Sequence, residues 1–86
     1  MVRPENKRMQ EFLAAHGIVA RAKWLSTGSL KRTWRLWQRC TWTPELAAKL
    51  NALGFVDYNN KPLGQFSGNG GTFCVFVRGH EDLLSA

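Results

Sequence analysis

Carboxylates are scarce in this chain. Six acidic residues, Glu5, Glu11, Glu45, Asp57, Glu81 and Asp82, stand against twelve Lys and Arg in 86 residues, giving a formal net charge of +6 and a pI near 10.0. None of them forms a pair spaced for general acid–base chemistry, so the expected class is not an enzyme. Cysteine is as sparse. Cys40 and Cys74 are the only two, too few for the disulfide framework of a small secreted domain, and the expectation is a reduced, cytoplasmic protein. With His16 and His80 at wide, irregular spacing, a zinc pattern is missing too, and no metal or other cofactor is expected. No run of about 18 apolar residues exists, so no membrane span is expected. The opening Met-Val-Arg-Pro-Glu-Asn-Lys-Arg is charged and leads into an amphipathic segment, unlike a signal peptide.

What is present argues for packing. Hydrophobic residues make up 44% of the chain, with four Trp and five Phe, well outside the disordered range. A chain of this size buries roughly 60 to 65% of the surface its unfolded form exposes, enough to fold alone as one domain over residues 1–86, with little to spare. A monomer and a homodimer are both compatible with that.

Residues 4–16 are predicted as a helix, with Pro4 suited to the first helical position, Met9, Phe12, Leu13 and His16 on one stripe, and Gly17 as a left-handed cap. Lys7, Arg8 and Gln10 lie off the stripe and read as a solvated face. Residues 18–25 alternate, with Ile18, Ala20, Ala22 and Trp24 on one side and Val19, Arg21, Lys23 and Leu25 on the other. Residues 30–39, Leu-Lys-Arg-Thr-Trp-Arg-Leu-Trp-Gln-Arg, alternate as strictly. They send Leu30, Trp34 and Leu36 to the core and Lys31, Thr33, Arg35, Trp37 and Arg39 outward. Residues 41–54 form a second helix, with Thr43 as N-cap, Pro44 in the first turn, Leu46, Leu50 and Leu53 buried, and Trp42 stapled towards Ala47. Gly54 ends it, with Phe55 placed for a Schellman contact back to Leu50. Residues 55–58 make a short strand, and residues 72–78, apolar on both faces, a strand covered on both sides or central in its sheet. The tail from His80 reads as a short helix or a frayed end.

The first two strands are joined through Ser26-Thr27-Gly28-Ser29. A two-residue turn would set Trp24 against Lys31, core side against charged side, so that register fails. A three-residue loop at 26–28 instead pairs Trp24 with Leu30, Ala22 with Arg32 and Ala20 with Trp34, and leaves Lys23 opposite Lys31. Arg32 would then snorkel to the rim of the core face. The fold class expected is α+β in the order α-β-β-α-β-β, with an antiparallel sheet of three or four strands covered by helices.

The glycine-rich stretch at residues 63–71 invites comparison with a phosphate cradle, but it lacks a Lys-Ser/Thr pair and leads into a strand, so a tight loop is expected. Cys74, inside an apolar strand, is expected to be buried and inert; Cys40, beside Arg39, is the more reactive of the two. Trp24 and Trp34 read as core. Trp37 stands apart, because alternation places it among cations.

The outer hairpin face, made of Arg21, Lys23, Lys31, Arg35, Trp37 and Arg39, is therefore the candidate site, and a polyanion is its natural partner. The expected function is nucleic-acid binding, DNA or RNA, with phosphate contacts from the cations and a stacking contact from Trp37. The alternative is a protein-binding module, a small regulator or inhibitor docking on an acidic surface, since Arg and Trp dominate such interfaces too. A third reading packs two copies sheet to sheet. The overall make-up resembles small accessory proteins carried by bacterial phages and plasmids, without a motif that transfers a role to any residue.

Overall fold

The computed structural model describes residues 5–64 and 71–84. Helix α1 spans Lys7–Ala15 and is capped by Asn6, whose side chain accepts the Met9 N–H at 2.9 Å. The helix therefore starts later than predicted, at an asparagine cap, and Pro4 lies outside the described residues. Its last turn closes as a Schellman motif: Gly17, at φ 79°, donates to Ala14 and Ile18 donates to Leu13. Helix α2, Pro44–Ala52, repeats the design. Thr43 caps its start by accepting the Leu46 N–H, Gly54 and Phe55 donate back to Asn51 and Leu50, and Gly54 takes φ 97°.

Four strands, β1 (Arg21–Leu25), β2 (Thr33–Gln38), β3 (Val56–Asp57) and β4 (Phe73–Arg78), form one antiparallel sheet in the order β1-β2-β4-β3. Both β2 and β3 run opposite to β4, so they run parallel to each other. The connection through α2 is thus a split β-α-β crossover with β4 in the gap. A short 3-10 helix, Glu81–Leu84, ends the described chain.

The core has one side. Met9 and Leu13 of α1 and Ala47 and Leu50 of α2 share a buried cluster with Ala22, Trp34, Leu36, Phe73, Val75 and Val77, alternate residues of β1, β2 and β4. Both helices therefore pack on the same face of the sheet. On the other face, Cys74 is exposed and Arg35, Trp37 and Phe76 are only partly covered. The prediction of helical cover is met on one face alone. Strand β4 is central as expected, but not enclosed on both sides, and Cys74 is accordingly not the buried thiol that the apolar run suggested.

The hairpin register also differs. Trp24 faces Trp34 and Ala22 faces Leu36, four residues along from the expected partners. Even residues still meet even ones, because the two-residue period forbids anything else. Residues 26–32 form the connection, with Gly28 at φ 85°, Arg32 at φ 65°, and the Arg32 N–H bonded to the Leu25 carbonyl at 2.7 Å. The longer loop lets Trp24 and Trp34 meet edge to face at 4.9 Å between ring centres, a contact of greater value than Trp24 on Leu30. Arg32, in the turn, pairs with Glu81 at 3.1 Å instead of lining the core rim.

Three fastenings hold the remaining segments. Asn51 offers both halves of its amide to Leu63, accepting the Leu63 N–H at 2.7 Å and donating to its carbonyl at 2.9 Å. The Trp34 indole N–H donates to the Gly79 carbonyl at 2.7 Å. His80 packs its ring against Phe12 and Phe55 and donates through Nε2 to the Leu53 carbonyl at 2.5 Å. At Gly79, with φ 126°, a side chain would sit 3.3 Å from the Gly54 carbonyl, so only glycine permits this close approach.

Candidate functional site

Register fixes which side chains share the helix-free face. Arg21, Trp37 and Cys74 form one row across β1, β2 and β4, and Lys23, Arg35 and Phe76 form the next. Rows lie about 6.8 Å apart along the strands, and neighbouring strands are about 4.8 Å apart. The result is a small lattice in which cations and aromatics interleave. Arg78 shares this side of β4, but its guanidinium donates to the carbonyls of Tyr58 at 3.1 Å and Arg32 at 3.4 Å. It braces the sheet edge and leaves fewer donors for a ligand.

Trp37 is the centre. The Arg35 guanidinium carbon lies 4.2 Å from its ring centre and that of Arg21 lies 5.3 Å away. Such stacking attracts each cation to the ring while its N–H edges remain able to donate. Arg35 also donates through Nε to the Cys74 sulfur at 3.4 Å. Lys23 faces Arg35 directly, and neither makes an ion pair with another described residue. Two like charges opposed across a ladder are mildly destabilising, so the sheet carries self-repulsion here.

Arg21 is different. Glu5, just ahead of α1, accepts from both its Nε, at 2.8 Å, and its Nη2. The hydrogen bond, and then the charge, push the Arg21 pKa above its already high ordinary value. The same N-terminal segment covers the β1 edge: Asn6 donates its backbone N–H to the Ala22 carbonyl at 2.7 Å, and the Gln10 side chain accepts the Ala22 N–H at 3.0 Å. An edge plugged in this way is closed to strand addition at that point.

Of the residues singled out by alternation, Arg21, Lys23, Arg35 and Trp37 come together on this face. Lys31 does not, because it lies in the connection before β2, with its N–H bonded to the Gly28 carbonyl. Arg39 lies just past the end of β2, in a bend. Sequence reasoning missed Phe76 and Cys74, which β4 delivers to the centre of the face. Their alternation with Phe73, Val75 and Val77 was legible; what was not is that one side of β4 is left without a helix. Beside Phe76 a groove of about 300 Å³ is lined by Trp42, Tyr58, Leu63 and Cys74, among others.

The glycine-rich loop lies mostly outside the described residues, since residues 65–70 are not described. Trp42 is buried, donates to the Gly64 carbonyl at 3.1 Å and packs edge-on to Phe73. Among the described residues, no group of three or more His, Cys, Asp or Glu is assembled for a metal ion, and no helix is long and apolar enough to cross a membrane. Comparison of the chain with family models, with curated proteins and with solved structures finds no match.

Proposed function

We propose that this protein binds nucleic acid through the helix-free face of its sheet, as a small basic accessory protein. The observation that carries the reading is the gathering of Arg21, Lys23 and Arg35 around Trp37 on one face, with Lys23 and Arg35 opposed and without a carboxylate partner among the described residues. Such a surface repels itself until a polyanion arrives, and phosphates supply the missing charge. Stacked guanidiniums offer their N–H edges to phosphate oxygens without first having to be ordered. Contacts of this kind position a strand without reading its sequence, so modest specificity follows.

The test is fluorescence anisotropy of labelled oligonucleotides across a salt series. Binding should weaken on a log-log plot with a slope of about −1.4 for two phosphate contacts, those of Lys23 and Arg35, on a single strand. Lys23→Ala and Arg35→Ala should each weaken binding and reduce that slope by about 0.7. Absence of binding at low salt would sink the proposal.

A second reading has one observation in its favour. Trp37 is already flanked by Arg35 and Arg21, and an Arg–Trp cluster of this kind also forms the centre of protein interfaces. Docking on an acidic protein surface would leave the oligonucleotide titration flat and require the same residues. Sheet-to-sheet packing of two copies is the least compatible with the charge, because it would set cations of one copy against cations of the other.

A further inference from the structure

We infer that the ligand of this face is an unpaired strand, with Phe76 of β4 as a second stacking platform beside Trp37 of β2. This rests on the nucleic-acid reading above and narrows it. On the two central strands Trp37 faces Cys74 and Arg35 faces Phe76. The two aromatics therefore occupy one diagonal of a square of sheet, about 7 to 8 Å apart. The other diagonal holds a cation, Arg35, and a small side chain, Cys74, joined by the Arg35 Nε hydrogen bond.

Aromatic rings offer a phosphate nothing. A surface built for the outside of a duplex gains from cations at every position, since the base faces there are hidden inside the stack. Here each ring has a cation beside it, Arg21 across from Trp37 and Arg35 across from Phe76, which suits the bases and phosphates of a single strand. Both rings are partly exposed, Trp37 between β1 and β4 and Phe76 where β4 runs beyond its pairing with β3, and Cys74 is too small to fill the ground between them. The Arg35 guanidinium, 4.2 Å over Trp37, gives a base a planar cation to stack on, or a partner to displace. On its far side Phe76 walls the groove shared with Tyr58, so a base on Phe76 has space beside the ring.

Three labelled probes of equal length separate the possibilities: a single strand, the matching duplex, and a strand whose bases are absent. The single strand should bind most tightly. Phe76→Leu should weaken it by about 5-fold or more, as loss of one stacked base does, and leave the abasic strand unchanged; Phe76→Tyr should restore wild-type affinity. A thermal melt confirms that the leucine variant folds; if it does not, Phe76→Met is read in its place, with the same loss expected on the single strand and none on the abasic strand. Equal affinity for all three probes would overturn the stacking platform and leave phosphate binding standing. No binding to any probe at low salt would overturn both.

Discussion

Strand β2 carries two tryptophans three residues apart, and the sheet treats them in opposite ways. Trp34 is fully buried, meets Trp24 edge to face and donates its indole N–H to the Gly79 carbonyl. Trp37 lies on the other side, partly exposed, with two guanidiniums over it and no hydrogen bond from its indole to another described residue. The same residue type on the same strand is core on one face and surface on the other, because three is an odd number of residues and the strand period is two. The difference teaches where selection for folding stops. The helix-bearing face contains the apolar core; on the open face Arg78 and the Arg21–Glu5 pair brace the fold, while Lys23, Arg35, Trp37 and Phe76 lie outside the core.

Breaking the comparison at its strongest point means removing Trp34. Trp34→Ala should cost about 3–5 kcal/mol, through the cavity it leaves and the Gly79 carbonyl it orphans. That is a large share of the roughly 4–13 kcal/mol that a chain of this length commands, and urea denaturation followed by circular dichroism would measure it. A loss under about 1 kcal/mol would mean that the two faces are not distinct in the way described.

Thiol labelling tests the same division on β4. In a Cys40→Ser background, Cys74 should react with a maleimide at close to the rate of an unfolded thiol. A cysteine placed at the neighbouring position by Val75→Cys, with Cys74→Ser, should be slower by about 100-fold or more, because it waits for opening of the core. Slow labelling of Cys74 would show that something covers the open face. Trp37→Ala should then cost about 1 kcal/mol or less in stability, the value of its cation–π contacts, while weakening oligonucleotide binding. A stability loss as large as that of Trp34→Ala would make Trp37 a core residue and remove it from the site.

Much of this division was legible from period and capping. Alternation sorted residues 18–25 correctly, down to Val19, which is exposed between buried Ile18 and Ala20. Both helix ends followed from a glycine at the left-handed position. The hairpin was not legible in full, because Leu30, Lys31 and Arg32 extend the alternation of β2 backwards into a turn. Nothing local reports that Arg32 adopts a positive φ there, stabilised by its bond to Leu25 and its ion pair with Glu81, 49 residues away. The contribution of β4 was hidden for a related reason. Its alternation could be read, but the strand beside it, and the packing of both helices on the face away from Cys74 and Phe76, are set by long-range pairing through the α2 crossover.

The smallest expected effect is the most diagnostic, because its two readouts move in opposite directions. Lys23 and Arg35 face each other across β1 and β2, so Lys23→Glu converts a like-charge pair into an opposite one. Stability should rise by about 0.2–1 kcal/mol, with the larger gain at low salt. Oligonucleotide affinity should fall in the same variant, since one phosphate contact is lost and a repulsive charge replaces it. A core or purely solvated position does not behave this way: there, a change that stabilises the fold carries no penalty in binding. If Lys23→Glu leaves affinity unchanged, the repulsion on the open face serves no ligand, and lysine at this edge strand is there to discourage association with another sheet.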